Sequence, residues 1–214
     1  IKEIHNNYRN MNESIMQYIL RHTRLLPRDI VIIGNSLAEI KSMKANTSDM
    51  DICRIIRKKV ANCAKTFGNE LLQICANQIN NNEMPKGAAN REYSEVYTSI
   101  KEYKESTSQM MKEILMQINS DKLSWDQICD LDNQARKVLG ENSKMLDVLW
   151  QNGGLGYLEE GPNGKEEVFF NEEYPEFLLP KRKKTYILRS CLIDAVGIHN
   201  TCWDSEPVIG GNIE

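Results

Sequence analysis

"LGYLEEGPNGKEEVFFN", residues 155–171, is the stretch on which the reading of the fold turns. Two short runs, LGYLEE and EEVFFN, flank GPNGK, and Pro-Asn-Gly is turn chemistry, so a β-hairpin is predicted. It is the one clear β signal in the chain.

Working upstream, the texture is helical. Met145, Leu146, Leu149 and Trp150 mark a helix beginning near Asn142 or Ser143. Before it, Ser124 caps a helix from Trp125 that carries Ile128, Leu131 and Val138, and Gly140 ends it. Val96, Tyr97, Ile100 and Tyr103 lead a longer helix through Met111, Ile114, Leu115 and Ile118. Downstream, "KTYILRSCLI" reads as a last strand or a short helix. Three helices followed by a hairpin is the order of a winged helix-turn-helix; a helical bundle with one stray hairpin is the alternative.

Winged helices often lay the third helix in the major groove with the wing beside it. Lys and Arg supply the affinity by neutralising phosphates. Residues 140–178 hold two cations, Lys144 and Lys165. Against them stand nine anions: Glu141, Asp147, Glu159, Glu160, Glu166, Glu167, Glu172, Glu173 and Glu176, a net charge of −7. Such a wing repels DNA, and a protein-facing or intramolecular wing is expected. The basic run Lys181, Arg182, Lys183 and Lys184 follows a proline and reads first as a solvated loop. A contact with the acidic wing comes second and a nucleic-acid patch third.

The N-terminal part shows no strand signal. Met11, Ile15, Tyr18 and Ile19 predict an amphipathic helix over residues 8–21. Pro27 suits the first turn of a second helix, Asp29 favours the same end, and Ile30, Ile33, Leu37 and Ile40 form its buried side. A long helix then starts behind Thr47 or Ser48, with Asp49 and Asp51 in its first turn. Its stripe is Cys53, Ile56, Val60, Cys63, Phe67, Leu71, Cys75 and Ile79, and Gly68 is a weak point in its middle. Asn81, Asn82, Pro85 and Gly87 make a loop that serves as the boundary. The expected fold is mainly α. A helical lid-like domain over residues 1–85 precedes a winged-helix domain with a small β-hairpin wing and a C-terminal tail over residues 92–214.

The 214 residues carry a net charge of −3, so only a local patch would bind a polyanion. No run of 18 apolar residues is present, and no membrane partner is expected. The chain opens at Ile1 and reads as a piece of a longer protein. Six cysteines show no zinc spacing. Cys53, Cys63 and Cys75 fall at least ~15 Å apart along one helix, too far to bridge each other. Reduced thiols in the cytoplasm are expected. "GPNGKE" lacks P-loop spacing, and neither G-x-S-x-G nor H-E-x-x-H occurs. Cys191, His199, Cys202 and Asp204 suggest Cys/His chemistry, but they read better as a packed tail anchored by Trp203. No catalytic residue and no metal ligand is assigned.

The stretch "ILRHTRLLPRDIVIIGNSL", residues 19–37, resembles the start of the helical lid behind the nucleotide-binding core of bacterial AAA+/STAND-like P-loop ATPases. Many of those are encoded near phage-defence genes. "LDVLWQNGGLGYLEE" and "YILRSCLIDAVGI" are similar to their winged-helix end and closing tail. The resemblance implies Arg28 as a nucleotide-sensing position, with Arg24 and Arg21 as seconds. It also implies ATP as the cofactor of the parent protein, none in this piece, and a nucleotide-binding core upstream of Ile1. A homo-oligomer or protein partner would receive the signal. Two rivals remain: a winged-helix DNA-binding transcriptional regulator, and an adaptor using the apolar face between Cys53 and Ile79.

Overall fold

In the computed structural model, serine side chains decide where two of the helices begin. The structure describes residues 2–6, 11–42, 47–80, 93–161, 166–171 and 178–198. Ser14 accepts from the Gln17 amide while the Gln17 side chain reaches back to the Ser14 backbone, which starts α1 at Ile15–Arg21. Ser124 and Gln127 repeat the device further on.

The first departure from expectation lies just before Ser14. β1 (Glu3–Asn6) and β2 (Met11–Ser14) pair antiparallel, Glu3 opposite Ser14 and Asn6 opposite Met11. The expected helix from residue 8 and the absence of strands in the first 85 residues are therefore corrected. Met11 lies at helical spacing from Ile15, but Ser14 holds an extended backbone as the cap, so the helix starts only after it. Ile4 of β1 is buried in the core.

α2 runs Pro27–Ala38 with Pro27 at its start, followed by a 3-10 turn over Glu39–Ser42. Ile33 is fully buried, whereas Ile30, Leu37 and Ile40 are half-buried. α3 (Asp49–Asn80) buries Ile56, Val60, Ala64, Phe67, Leu71 and Cys75, with Cys53, Cys63 and Ile79 packed at the edge. Burying each large side chain of this kind is worth about 1.5–3 kcal/mol. The apolar stripe thus faces the interior, while Ile74, off the stripe, is exposed.

After α3 come α4 (Tyr93–Leu115), β3 (Lys122–Leu123), α5 (Trp125–Leu139) and α6 (Met145–Gln151). Then follow β4 (Leu155–Glu160), β5 (Glu166–Phe170), β6 (Thr185–Leu188) and α7 (Ser190–Val196). The stretch open to strand or helix is both, divided at Arg189. Its amide donates to Gly154 O at 3.0 Å, its Nε donates to Gly153 O, and its guanidinium lies over the Phe170 ring. All pairings in this second sheet are antiparallel, in the order β3-β6-β4-β5. Tyr157 stands opposite both Phe169 and Tyr186. That face meets Trp150 of α6 and Trp125 of α5 through ring contacts of 5.7 and 5.8 Å. Leu158 and Ile187 form a smaller buried cluster with Val168 and Phe170.

Gly68, read from sequence as a weakness, is where α7 crosses α3. A Cβ there would stand 2.1 Å from Cys191 O and 2.6 Å from the Ala195 Cβ. One buried cluster runs from Ile4 to Ile198 and draws on residues from both sides of the expected boundary. The boundary loop, residues 81–92, lies outside the described residues. The architecture is mainly helical with two small antiparallel sheets. Among the described residues no helix is long and apolar enough to cross a membrane.

Candidate functional site: the turn between the first two helices

The turn joining α1 to α2 collects the charges that sequence reading singled out. Leu25 holds a left-handed backbone, φ +60°, which a non-glycine residue adopts only when its surroundings insist. They do so here through five hydrogen bonds. Thr23 Oγ1 donates to Leu20 O at 2.7 Å and accepts from the Leu25 amide at 3.1 Å. Asp29 Oδ2 accepts from the Arg24 amide at 3.0 Å and from Arg24 Nε at 2.9 Å. Arg24 Nη2 adds a second side-chain bond to Asp29 Oδ1 at 2.7 Å, giving a bidentate pair.

Asp29 is completely buried. Burial alone would raise its carboxyl, but the Arg24 hydrogen bonds and the charges of Arg24 and Arg28 hold it below the ordinary value. Arg24 Nη2 also lies 3.1 Å from Glu70 Oε2 of α3, and its guanidinium sits over the Phe67 ring. Arg21 points the other way, where its Nε donates to Glu13 Oε2 of β2 at 2.9 Å in a pair with both side chains buried.

Arg28 differs from both. Its side chain is 60% exposed, and it bonds Glu70 at the surface while its Nε lies 4.0 Å from Asp29 Oδ1. The three arginines proposed from sequence are therefore brought to one turn but sorted. Arg21 and Arg24 are tied to internal carboxylates; Arg28 stands at the rim beside a half-exposed partner.

His22 is buried at the end of α1, its ring tilted against that of Tyr18 with centroids 4.5 Å apart. Its Nδ1 lies 2.7 Å from Tyr18 O, and since a carbonyl only accepts, Nδ1 carries the proton. Nε2 then turns its lone pair toward Asp194 Oδ2 of α7, 3.6 Å away, too long for a hydrogen bond. Burial lowers His22 to about 4, against the Tyr18 carbonyl and helped by Arg21. Burial raises the Asp194 carboxyl to about 7. Between about pH 4 and 7 the histidine is uncharged while the buried carboxyl holds its proton.

The other proposed chemistry is absent from this turn. Cys191 lies in the core with its thiol pushed up by burial to about 12, so it offers no thiolate. His199, Cys202, Asp204 and Trp203 lie outside the described residues. Among the described residues no three metal-ligating side chains gather.

At the hairpin end, α6 buries Met145, Leu146, Val148, Leu149 and Trp150. Asp147 Oδ1 accepts from the Leu179 amide at 2.9 Å, so its carboxylate also serves the fold. In the basic run, Lys183 is drawn in: it pairs with Glu159 and lies 4.5 Å over the Tyr157 ring. Lys181, Arg182 and Lys184 are exposed.

The partners that sequence reading missed are Glu13, Glu70 and Asp194. A signal existed for two of them. Glu70 directly precedes Leu71 in the buried stripe, and Asp194 interrupts the apolar run CLIDAV, where an unpaired carboxylate is costly. No protein family, no curated protein and no solved structure matches the chain.

Proposed function

We propose that the chain is the non-catalytic C-terminal lid and winged-helix part of a cytoplasmic bacterial P-loop ATPase, of the AAA+/STAND kind associated with antiviral defence. It couples the nucleotide state of an upstream core to a homo-oligomer or protein partner. The observation that carries this reading is the sorting of the three arginines. Only Arg28 presents its guanidinium outward, at the proline-started end of α2, where phosphate is also favoured by the helix terminus. A terminal phosphate arriving from the core competes with Glu70 for that guanidinium. Because Glu70 also touches Arg24, the exchange is felt at once by the buried ion pair and by α3.

The winged-helix assignment draws support from the order helix, strand, helix, helix, hairpin, strand, with β6 between β3 and β4. The rival DNA-binding regulator loses ground on burial as well as charge. A reading helix needs an exposed face for base edges, and α6 is spent on the core with Asp147 held by Leu179.

The reading predicts a G-x-x-x-x-G-K-[ST] motif after an apolar run in the reading frame preceding Ile1. Sequencing the gene across that region tests it. An upstream frame without a phosphate-binding loop sinks the assignment.

A further inference from the structure

Between Asp51 and Glu70, α3 carries five cations, Arg54, Arg57, Lys58, Lys59 and Lys65, and no acid. Two of these are engaged by neighbours. Lys59 pairs with Glu39 at 2.6 Å, and Arg57 donates to His5 O at 3.2 Å. Arg54, Lys58 and Lys65 are exposed, and none has a hydrogen bond or an ion pair with any described residue.

Offsets of 4 and 11 residues return to nearly the same side of a helix with 3.6 residues per turn, so the three cations share one face. The rise of about 1.5 Å per residue spreads them along roughly 16 Å of rigid rod. Exposed Asn62 and Thr66 lie between Lys58 and Lys65 or beside them. From Arg54 to Lys65 no large hydrophobic side chain of α3 is exposed.

We infer that this stripe is a docking surface for the phosphate backbone of duplex nucleic acid. Between Arg54 and Lys65 the face has the charge a polyanion needs and no apolar anchor of the kind other partners need; exposed Met50 lies one turn before it. A protein interface is centred on buried aromatic or aliphatic anchors. A helix lying on a membrane inserts an apolar face. A B-form duplex presents one charge per ~1.7 Å of axis, about ten along the length of the stripe, enough to meet three cations in many registers. The three cations meet phosphates rather than base edges, so this part of the contact is independent of sequence. The stripe is separate from the acidic hairpin, so repulsion by the wing does not bear on it. The inference does not depend on the ATPase reading.

The test is fluorescence anisotropy of the full chain with a labelled DNA duplex of about two helical turns, across a salt series. Neutralising three phosphates predicts a log–log salt slope of about −2.7. The variant R54Q/K58Q/K65Q should weaken binding at least about tenfold near 50 mM salt, and Lys58→Gln alone should reduce the slope by about 0.9. K181Q/R182Q/K184Q should bind within about twofold of the wild type, since those charges lie elsewhere. The inference is overturned by absence of binding at low salt, by full binding of the stripe variant, or by a loss confined to the 181–184 variant. Binding to phosphatidylserine vesicles without binding to duplex overturns the nucleic-acid assignment. All the exchanged side chains are exposed, and circular dichroism verifies the fold.

Discussion

Two basic runs lie beside prolines in this chain, and they meet opposite fates. In the run from Arg21 to Arg28, Arg21 and Arg24 are drawn inward by Glu13, Asp29 and Glu70, His22 is buried near Asp194, and Arg28 is left at the rim. In the run from Lys181 to Lys184, only Lys183 finds a carboxylate among the described residues, and that pair stays part-exposed. The runs themselves look alike. What separates them is whether other elements bring carboxylates to a site that the core then covers. A buried pair is strongly coupled to the fold because breaking it strands a charge, while an exposed pair is screened and nearly neutral in effect.

The largest expected effect comes from breaking the inner run. Asp29→Ala leaves the Arg24 guanidinium buried beside Phe67 with Glu70 as its one remaining carboxylate among the described residues, and should cost about 3–5 kcal/mol in urea unfolding. A loss under about 1 kcal/mol would put this pair in the same class as the outer one and erase the contrast.

Next comes the histidine, read through pH. His22 has a folded value near 4 against 6.5 unfolded, so its contribution is present above 6.5 and lost as pH falls toward 4. Asp194 has a folded value near 7 against 3.8, so its contribution is present below 3.8 and lost as pH rises through 7. Between pH 4 and 6.5 the two nearly cancel: folding moves one proton from the imidazole to the carboxyl. Asp194→Asn removes the compensation, and the variant should lose roughly 3 kcal/mol between pH 6.5 and 4. Urea midpoints at several pH values read this directly. A variant whose acid profile parallels the wild type would show that the pair does not exchange a proton on folding.

The outer run should respond weakly. Glu159→Ala, which frees Lys183, should change stability by less than about 1 kcal/mol. The triple change K181Q/R182Q/K184Q should stay within about 0.5 kcal/mol, measured by thermal unfolding. A larger loss in either would mean that the outer run holds the hairpin to β6.

Local signals carried much of this architecture. Pro27, Ser124 and Gly140 each act within a few residues, and the helices they bound stand where expected, as do the two strands flanking Pro-Asn-Gly, which itself lies outside the described residues. β1 and β2 were hidden because Met11 fell by chance on the helical spacing of Ile15. β3 is two residues long, and its pairing with β6 bridges more than sixty residues of sequence, so no local pattern announces it. Gly68 was misread for a related reason: a glycine in a helix looks weak until the helix that crosses it is known. The sorting of the arginines was least legible. Arg28 and Glu70 are 42 residues apart, and His22 meets Asp194 from near the opposite end of the chain. Which guanidinium turns outward is decided by tertiary packing alone.

That outward guanidinium is the centre of the functional account, and ATP binding by the intact gene product tests it most directly. A fluorescent ATP analogue titrated into the wild type and Arg28→Ala reads the difference as a change in Kd. Losing one charged hydrogen bond to phosphate predicts roughly ten- to a hundredfold weaker binding, with the melting temperature nearly unchanged because Arg28 is exposed. Equal affinity in the two proteins would contradict the account and leave Arg28 as a surface partner of Glu70.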